Sequence, residues 1–292
     1  MTDSTSGVDG TLLVPIANRE TADRQLDTAM DIAADREYRI LLVFVLSVPS
    51  QLSLVDGRRY LLEDENEELL EDAAARVESQ GIPVERRIRM ARGVAVGIVG
   101  AVDKHEADAV LMGWRGRPPR QNVILGGYVD DVLTNANCDV LVKRIKTPTP
   151  EPIESILLPV GGGPHSQLAA ETAASIARRN DSSVTLLHVL ETDAPEDSRE
   201  KARGLLTEAA TRFDDDRQVD RELVSGTDVA GTITDWTADH DVTVLGVSEG
   251  GLIERRLLGT VSEGVGRHAA GTVILTRRYD PVPSRLRRLI GK

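Results

Sequence analysis

The stretch Ala109-Val-Leu-Met-Gly113-Trp-Arg-Gly116 joins an apolar run to a pair of glycines, and Gly126-Gly127 follows after nine further residues. The pattern returns as Val242-Thr-Val-Leu-Gly246, with Gly259-Thr260 at the matching distance. The two copies are offset by 133 residues. Glycines held at fixed spacing between a strand and a helix indicate a backbone that approaches another group closely, commonly a phosphate. The repeat therefore predicts two copies of one unit, each carrying a glycine loop.

A chain of 292 residues with a repeat of this length predicts two domains, each with its own hydrophobic core. The segment Thr147-Pro-Thr-Pro-Glu-Pro152 carries three prolines, which hold a chain extended and remove hydrogen-bond donors. We therefore assign a linker between the two copies to this segment. The predicted divisions are a first domain at 1–147, a linker at 148–153, a second domain at 154–280 and a basic tail at 281–292.

Both halves alternate short apolar runs with segments of helical spacing. Residues 11–16 and 40–46 are typical of parallel strands that helices cover on both faces. Residues 60–80 have the spacing of one long helix. Five strands and four helices in each half predict an α/β fold: two repeated open parallel five-stranded sheets with helices on both faces, a Rossmann-like arrangement. Ligands of such sheets bind beyond the carboxyl ends of the strands, where both glycine loops begin.

The charge balance is strongly acidic. Asp and Glu total 47 against 35 Lys and Arg, the net charge is −12, and only five of the basic residues are Lys. A carboxylate-rich, lysine-poor surface is typical of a halophile's protein, because concentrated salt screens its self-repulsion. A GC-rich genome that favours Arg codons is the alternative explanation. An acidic surface without a basic stripe argues against nucleic-acid binding.

The single cysteine, Cys138, excludes an internal disulfide and a Cys-based zinc site. Its place at the start of an apolar run predicts a buried side chain rather than a reactive thiol. The five histidines lack metal-ligand spacing, and His188, inside an apolar run, is predicted to be a core residue. No apolar run reaches membrane length and the first ten residues are polar, so we expect a cytoplasmic protein.

Both halves resemble the universal stress protein family. The nucleotide-binding branch of that family carries the pattern G-x2-G-x9-G-[S/T] after its fourth strand, and each half of this chain has a version of it. Leu12-Leu-Val-Pro-Ile16 opens the first half and Leu157-Leu-Pro-Val160 opens the second. The resemblance covers nearly the whole chain. It implies strand order 3-2-1-4-5, a tandem pair that mimics the family's dimer, and ATP or AMP as the ligand of some members. Mg²⁺ is a further candidate cofactor.

The resemblance carries the family's nucleotide contacts onto two sets of residues. In the first half these are Ala17, Val45, Gly113, Gly116, Gly126 and Gly127, with Arg115 in the same loop. In the second half they are Gly161, Val189, Gly246, Gly259, Thr260 and Ser262. By this resemblance Val45 and Val189 lie under the adenine, and the glycine loops hold the phosphates.

Neither set is complete. The nucleotide-binding members of the family usually have Asp where this chain has Ala17 and Gly161. The second half also has Glu249 at the position of its second glycine. An unpaired carboxylate beside a triphosphate costs on the order of a few kcal/mol unless a metal ion or an arginine intervenes.

The first half keeps all three glycines of the pattern, although Gly127 and Val129 replace the hydroxyl residues. Main-chain N–H groups at a helix N-terminus bind phosphate without help from side chains. Arg115, Arg117 and Arg120 add positive charge to this loop, and the alternative is that they pair with local carboxylates. We therefore favour the first half as the nucleotide site and keep the second half as a further one.

Three functions stay open on the sequence. The first is a non-enzymatic stress-response regulator that binds ATP or AMP; slow ATP hydrolysis is compatible with it, although no general base stands near the glycine loops. The second is a ligand-free interaction module that regulates a partner such as a membrane transporter, and the missing Asp favours it. An ATP-consuming enzyme has the least support, because the chain has no Walker A or dinucleotide motif.

The tandem arrangement predicts an intramolecular pseudo-dimer whose halves pair through their fifth strands, at residues 139–144 and 272–277. Formation of a homodimer by the whole chain stays open. The tail segment Ser284-Arg-Leu-Arg-Arg-Leu-Ile290 is basic and amphipathic. It either touches an anionic membrane surface or a transporter, or it frays as a chain terminus.

Overall fold

The computed structural model describes residues 8–115, 125–146, 148–214, 218–247 and 260–281. Each half of the chain contributes five strands to one sheet. Those of the first half are β1 (Gly10–Ile16), β2 (Tyr38–Ser47), β3 (Val84–Ala91), β4 (Ala109–Trp114) and β5 (Asp139–Arg144). Those of the second half are β6 (Ser155–Pro159), β7 (Ser183–Glu191), β8 (Val219–Gly226), β9 (Val242–Gly246) and β10 (Thr272–Arg277).

Helices alternate with these strands, as the sequence predicts. The first half contains α1 (Arg19–Asp35), α2 (Leu54–Leu61), α3 (Asp64–Ser79), α4 (Val94–His105) and α5 (Gly127–Asn135). The second half contains α6 (Gly163–Asn180), α7 (Glu196–Ala210), α8 (Val229–Trp236) with a 3₁₀ turn at Thr237–Asp239, and α9 (Thr260–His268).

The single helix predicted for residues 60–80 is wrong, because two helices share this segment. Helix α2 ends at Leu61, and Leu62 takes an extended backbone conformation with φ −81° and ψ 122°. Helix α3 begins after Glu63, whose side chain forms a reciprocal capping box with Asn66. These capping residues fall within a continuous helical spacing of apolar residues, so periodicity alone does not reveal the break.

The strands that the structure describes form one sheet in the order β3-β2-β1-β4-β5-β10-β9-β6-β7-β8. Within each half every neighbouring pair is parallel, which confirms the order 3-2-1-4-5. The outermost strands, β3 and β8, are rich in Arg, Glu and Asp. Charged side chains on an outer strand discourage it from pairing with another sheet.

The halves join where β5 pairs with β10. The pairing is antiparallel, with Ile274 opposite Lys143 and Arg277 opposite Val140. This confirms the prediction that the two fifth strands pair. Because the strands of one half run opposite to those of the other, their carboxyl ends lie at opposite ends of the sheet. A site at the carboxyl edge of one half is therefore separate from that of the other.

Two arginines at matching positions reinforce this seam between β5 and β10. Arg144, at the end of β5, donates to four carbonyl oxygens at and just beyond the end of α9. Arg277, at the end of β10, donates to the carbonyl oxygen of Ala136 after α5 at 2.7 Å. Carbonyl groups at a helix C-terminus lack helical partners and carry partial negative charge, so a guanidinium satisfies them. Each half thus caps the last helix of the other.

Helices α1 and α6 pack together across the seam on one face of the sheet. Arg178 pairs with Asp35 at 2.7 Å, and Asn180 donates to Asp31 at 2.9 Å. Both apolar cores, one on each face, contain residues of β5 and of β10. The two halves therefore share their cores as well as their sheet.

Lys143 is a charged residue in the middle of this seam. Its side chain is 1% exposed, and among the described residues its Nζ has no hydrogen-bond partner. Burial lowers the pKa of Lys143 to about 8, although the carboxylates of Asp27, Asp31 and Glu151 attract its charge. The folded chain thus binds this proton less tightly than the unfolded chain does. The ammonium destabilises the fold below about pH 8, and the penalty disappears as the pH rises toward the ordinary lysine value.

Lys143→Met is expected to raise the free energy of unfolding by about 1–3 kcal/mol at neutral pH, because it removes a buried charge and keeps an apolar stem. The gain should shrink between about pH 8 and about pH 10, where the wild-type chain loses the proton. Urea unfolding at each pH measures the effect, with Lys146→Met as an exposed control. A loss of stability at neutral pH would show instead that the ammonium is needed to hold the neighbouring carboxylates together.

Candidate functional site

A cavity opens at the carboxyl edge of the second half. Its volume is about 530 Å³, which is within the range of small-molecule pockets. It lies between the ends of β6, β7 and β9 and the helices α6, α8 and α9, where parallel α/β sheets bind their ligands. The described residues that line it are 159–166, 187–189, 245–247, Val229, Ile233, Val261 and Ser262.

The turn from β6 into α6 forms one side of the cavity and consists largely of glycine. Gly162 and Gly163 have φ angles of 80° and 76°, a region that other residues enter only with strain. Helix α6 begins at Gly163, and Pro164 lies in its first turn, where a missing N–H is tolerated. A side-chain carbon placed on Gly161 would meet no atom within 4 Å. The position at which the resemblance leads us to expect Asp is therefore open space beside the cavity.

Gly246 and Ser262 meet on another side of the cavity. A side-chain carbon on Gly246 would lie 2.5 Å from the backbone of His165, so the close approach of α6 to β9 requires glycine. Ser262 donates from Oγ to the carbonyl oxygen of Gly246 at 3.1 Å. Thr260 is the first residue of α9, whereas its side chain and Gly259 lie outside the described residues. Gly246 thus has a packing role beside its place in the cavity lining.

The cavity has an apolar wall and a polar side. Val189, Ile233 and Leu245 belong to the wall and pack with the core under α8 and α9. His188, next to Val189 on β7, points to the other face of the sheet because side chains alternate along a strand. It is half-buried, and its Nδ1 lies 2.6 Å from the carbonyl oxygen of Val160. The sequence assigns His188 to the core, and the structure places it at the cavity.

The matching positions of the first half are arranged differently. A side-chain carbon on Gly113 would lie 2.8 Å from Cδ1 of Ile145, so this glycine also has a packing role. Tyr128 occupies the position of Val261 and donates from its hydroxyl to the carbonyl oxygen of Gly113 at 3.1 Å. Its ring thus spans the gap between α5 and the end of β4, the counterpart of the gap that stays open in the second half.

Two carboxylates lie at the glycine loop of the first half. Asp130 accepts a hydrogen bond from the backbone N–H of Leu125 at 3.2 Å, so one main-chain donor in front of α5 is already used. Arg115 lies 3.7 Å from Glu20, and both side chains are exposed. An exposed pair of this kind contributes little to stability. Arg115 thus pairs with a local carboxylate, which is the alternative to phosphate binding that the sequence left open.

The remaining predicted residues of the first half lie along the same carboxyl edge. Ala17 is exposed in the turn after β1. Val45 packs on α4, where a side-chain carbon on Gly97 would come within 2.3 Å of it. Gly126 precedes α5 with φ 144°, and Gly127 is the first residue of that helix. Outside the described residues lie Gly116, Arg117, Arg120, Glu249, Gly259 and the tail from residue 282.

Tyr128 and His188 are the residues whose importance sequence reasoning missed. Aligning the copies at their offset of 133 residues would have shown Tyr128 opposite Val261, a large side chain against a small one. Alternation along β7 would have placed His188 on the opposite side from Val189. Both signals are present in the sequence. Neither signal shows that the Tyr128 hydroxyl bonds to the carbonyl oxygen of Gly113 or that the His188 imidazole bonds to that of Val160.

In the ranges that the structure describes, no group of three or more His, Cys, Asp or Glu side chains is arranged to hold a metal ion. Within those ranges, too, no helix combines the length and the apolar composition that crossing a membrane requires. Cys138 is buried, which confirms its prediction. Burial raises the pKa of its thiol to about 12, so the thiolate that reacts is scarce.

Several known proteins are similar to this chain in sequence or in fold. A universal stress protein of Methanocaldococcus jannaschii is 25% identical over 146 residues, which are 48% of this chain and 84% of that protein. The Na⁺/H⁺ antiporter NhaS5 of Synechocystis is 25% identical over 181 residues, which are 61% of this chain and 26% of the antiporter. A crystal structure of a universal stress protein from Archaeoglobus fulgidus shares the fold, with a TM-score of 0.68 at 17% identity, over 94% of this chain and 98% of its own.

The family model described as "Universal stress protein family" matches this sequence twice, at residues 10–144 and 152–277. The two matches together cover most of the chain, and each spans one set of five strands. The chain therefore belongs to the universal stress protein family, with the family's domain present twice.

Proposed function

We propose that this chain is a stress-response regulator whose second half binds ATP or AMP. The observation that supports this most is the cavity of about 530 Å³, where an apolar wall, a glycine turn and the start of a helix meet at one edge of the sheet. A nucleotide needs an apolar surface for its base, hydrogen-bond partners for its sugar and positive dipole ends for its phosphates. The second half offers all three.

The first turn of α9 is the proposed phosphate end of the site. Helix N-termini leave backbone N–H groups unpaired and carry partial positive charge. Ser262 lines the cavity from this turn, while its hydroxyl hydrogen is donated to the carbonyl oxygen of Gly246. Glu263 in the same turn would repel a phosphate, but Arg267 pairs with it at 2.7 Å and offsets its charge. The electrostatics of this turn are therefore compatible with an anion.

The geometry favours the second half over the first, the reverse of the order that the glycine pattern suggests. In the first half the Tyr128 ring crosses toward Gly113, and Asp130 takes up the N–H of Leu125. A ring that reaches from α5 to the end of β4 reduces the space for a nucleotide, and a main-chain donor that is already bonded is not available to a phosphate. We propose that the first half, residues 1–147 before the proline-rich linker, acts mainly as the structural partner of the second.

We expect binding without rapid turnover, in keeping with a regulator rather than an enzyme. His165, in the first turn of α6, accepts a hydrogen bond at its Nδ1 from the backbone N–H of Arg278 at 3.0 Å, so this nitrogen is already occupied. Mg²⁺ would enter with the phosphates of ATP, since the described residues offer no metal-ligand cluster. Slow ATP hydrolysis is compatible with this proposal. We also propose that the protein is located in the cytoplasm, where adenine nucleotides are abundant.

The similarity to the Na⁺/H⁺ antiporter favours a second function. The matched segment is most of this chain and about a quarter of the antiporter, so the similarity concerns one part of a larger protein. We propose as the alternative that this chain is an interaction module that regulates a membrane transporter. The two functions are compatible if nucleotide occupancy controls docking on the partner.

We also propose that the acidic, lysine-poor composition adapts the chain to concentrated salt. The midpoint of urea unfolding should rise between about 0.1 M and about 2 M KCl, because salt screens repulsion among carboxylates that give a net charge of −12. At about pH 4.5, where many carboxylates are protonated, the same addition of KCl should produce a smaller rise. Equal rises at the two pH values would indicate a general salt effect on apolar burial instead.

Calorimetric titration of the full chain with ATP and AMP in molar KCl is expected to show binding at one site per chain. Val261→Tyr gives the second half the side chain that the first half has at this position, so it should abolish binding by filling the cavity. The matched variant Tyr128→Val alters the first half and should leave the affinity of the second half unchanged. Absence of heat from the folded wild-type chain at millimolar nucleotide would reject nucleotide binding and favour the interaction module.

A further inference from the structure

We propose that His188 selects the sugar of the nucleotide: its Nε2 accepts a hydrogen bond from a ribose hydroxyl in the second-half cavity. This inference rests on the proposed function, because it requires a nucleoside in that cavity. It gives a ligand-binding role to a histidine that the sequence pattern assigns to the core.

The hydrogen bond to Val160 fixes the tautomer of His188. The imidazole Nδ1 lies 2.6 Å from the carbonyl oxygen of Val160. A carbonyl oxygen only accepts hydrogen bonds, so Nδ1 must carry the hydrogen. In the neutral imidazole the other nitrogen, Nε2, is then an acceptor. Among the residues that the structure describes, His188 makes no further hydrogen bond, so this lone pair is available to a ligand.

The imidazole borders the polar side of the cavity. Leu187 and Val189 pack into the core beneath α8, so His188 between them faces the other side of the sheet. Its partner Val160 leads directly into the glycine turn before α6. A base resting on Val189 would therefore bring its sugar, rather than its ring atoms, next to His188.

Gly161, which follows Val160 at the border of the cavity, has no side chain and is exposed. A carbon placed on Gly161 would meet no atom within 4 Å. A ribose at this position brings two hydroxyl donors, and a hydroxyl that loses water on binding without gaining an acceptor weakens the binding. The Nε2 of His188 is a side-chain acceptor at the border of the cavity and removes this loss for one hydroxyl.

The first half has no such acceptor at the matching position. In the β1–β2 register Ile16 lies opposite Phe44, and Ile16 corresponds to Val160. Phe44 therefore stands where the second half has His188, and its ring has no nitrogen lone pair. The two halves differ at the position that would select a ribose, in agreement with a nucleotide bound in the second half.

Calorimetry with ATP and 2′,3′-dideoxy-ATP tests the contact, first on the wild-type chain. Removing the sugar hydroxyls should weaken binding about 3- to 10-fold, the effect of one neutral hydrogen bond. His188→Asn keeps an amide that can donate to Val160 but ends short of the sugar. This variant should bind ATP about 3- to 10-fold more weakly than the wild type and should no longer distinguish the two nucleotides.

His240→Asn is the matched control. His240 is also half-buried and bonded through Nδ1 to a backbone carbonyl, that of Trp236 at 2.8 Å, but it does not line the cavity. This control should retain the preference for ATP over the dideoxy nucleotide. Urea unfolding of both variants checks that the fold is kept.

Equal binding of ATP and dideoxy-ATP by the wild-type chain overturns the proposal, as does an undiminished preference in His188→Asn. Inosine triphosphate, which lacks the 6-amino donor of adenine, separates base from sugar. If His188→Asn abolishes the preference for ATP over inosine triphosphate and keeps the preference for ribose, His188 contacts the base and the sugar contact is wrong. Absence of any heat with ATP rejects the proposed function itself, and the contact between His188 and the ribose is then rejected as well.

Discussion

The antiparallel pairing of β5 with β10 is the constraint on which the rest of the structure depends. It turns two five-stranded sheets into one and covers, within a single chain, two strand edges that would otherwise be exposed. Arg144 and Arg277 strengthen it by capping the last helix of the opposite half, and both apolar cores run through it. The pairing also points the carboxyl ends of the two halves in opposite directions. The carboxyl edges of the two halves are therefore separate, so the site proposed for the second half does not depend on the first half having one.

The two halves use different side chains to hydrogen-bond the same backbone carbonyl group. The glycine near the end of the fourth strand of each half has a carbonyl oxygen that accepts a side-chain hydroxyl. In the second half Ser262 supplies that hydroxyl from a short side chain, and the space in front of Gly246 stays open. In the first half Val129 cannot supply it, and Tyr128 reaches Gly113 from the neighbouring position with a ring. The same hydrogen bond thus leaves a cavity in one half and crosses the corresponding gap in the other.

Much of the fold could be predicted from sequence because it depends on periodicity and repetition. Near-continuous apolar runs mark the buried parallel strands, and the repeat of 133 residues makes the second half a copy of the first. The break between α2 and α3 could not be predicted in this way, because the capping residues at Glu63 and Asn66 interrupt no apolar pattern. The site was less predictable than the fold. Gly113 and Gly246 fit a phosphate loop, yet each is also required by packing against Ile145 or His165, and residue spacing cannot separate these two causes.

A crystal structure of the full chain grown with ATP or AMP tests the central claim most directly, because it shows which half holds the ligand. We expect electron density for one nucleotide in the second half, with its base against Val189 and its phosphates at the start of α9. Tyr128 should keep its contact with Gly113 in the first half. A nucleotide bound at Gly113 and Gly126, with the cavity of the second half empty, would contradict this assignment.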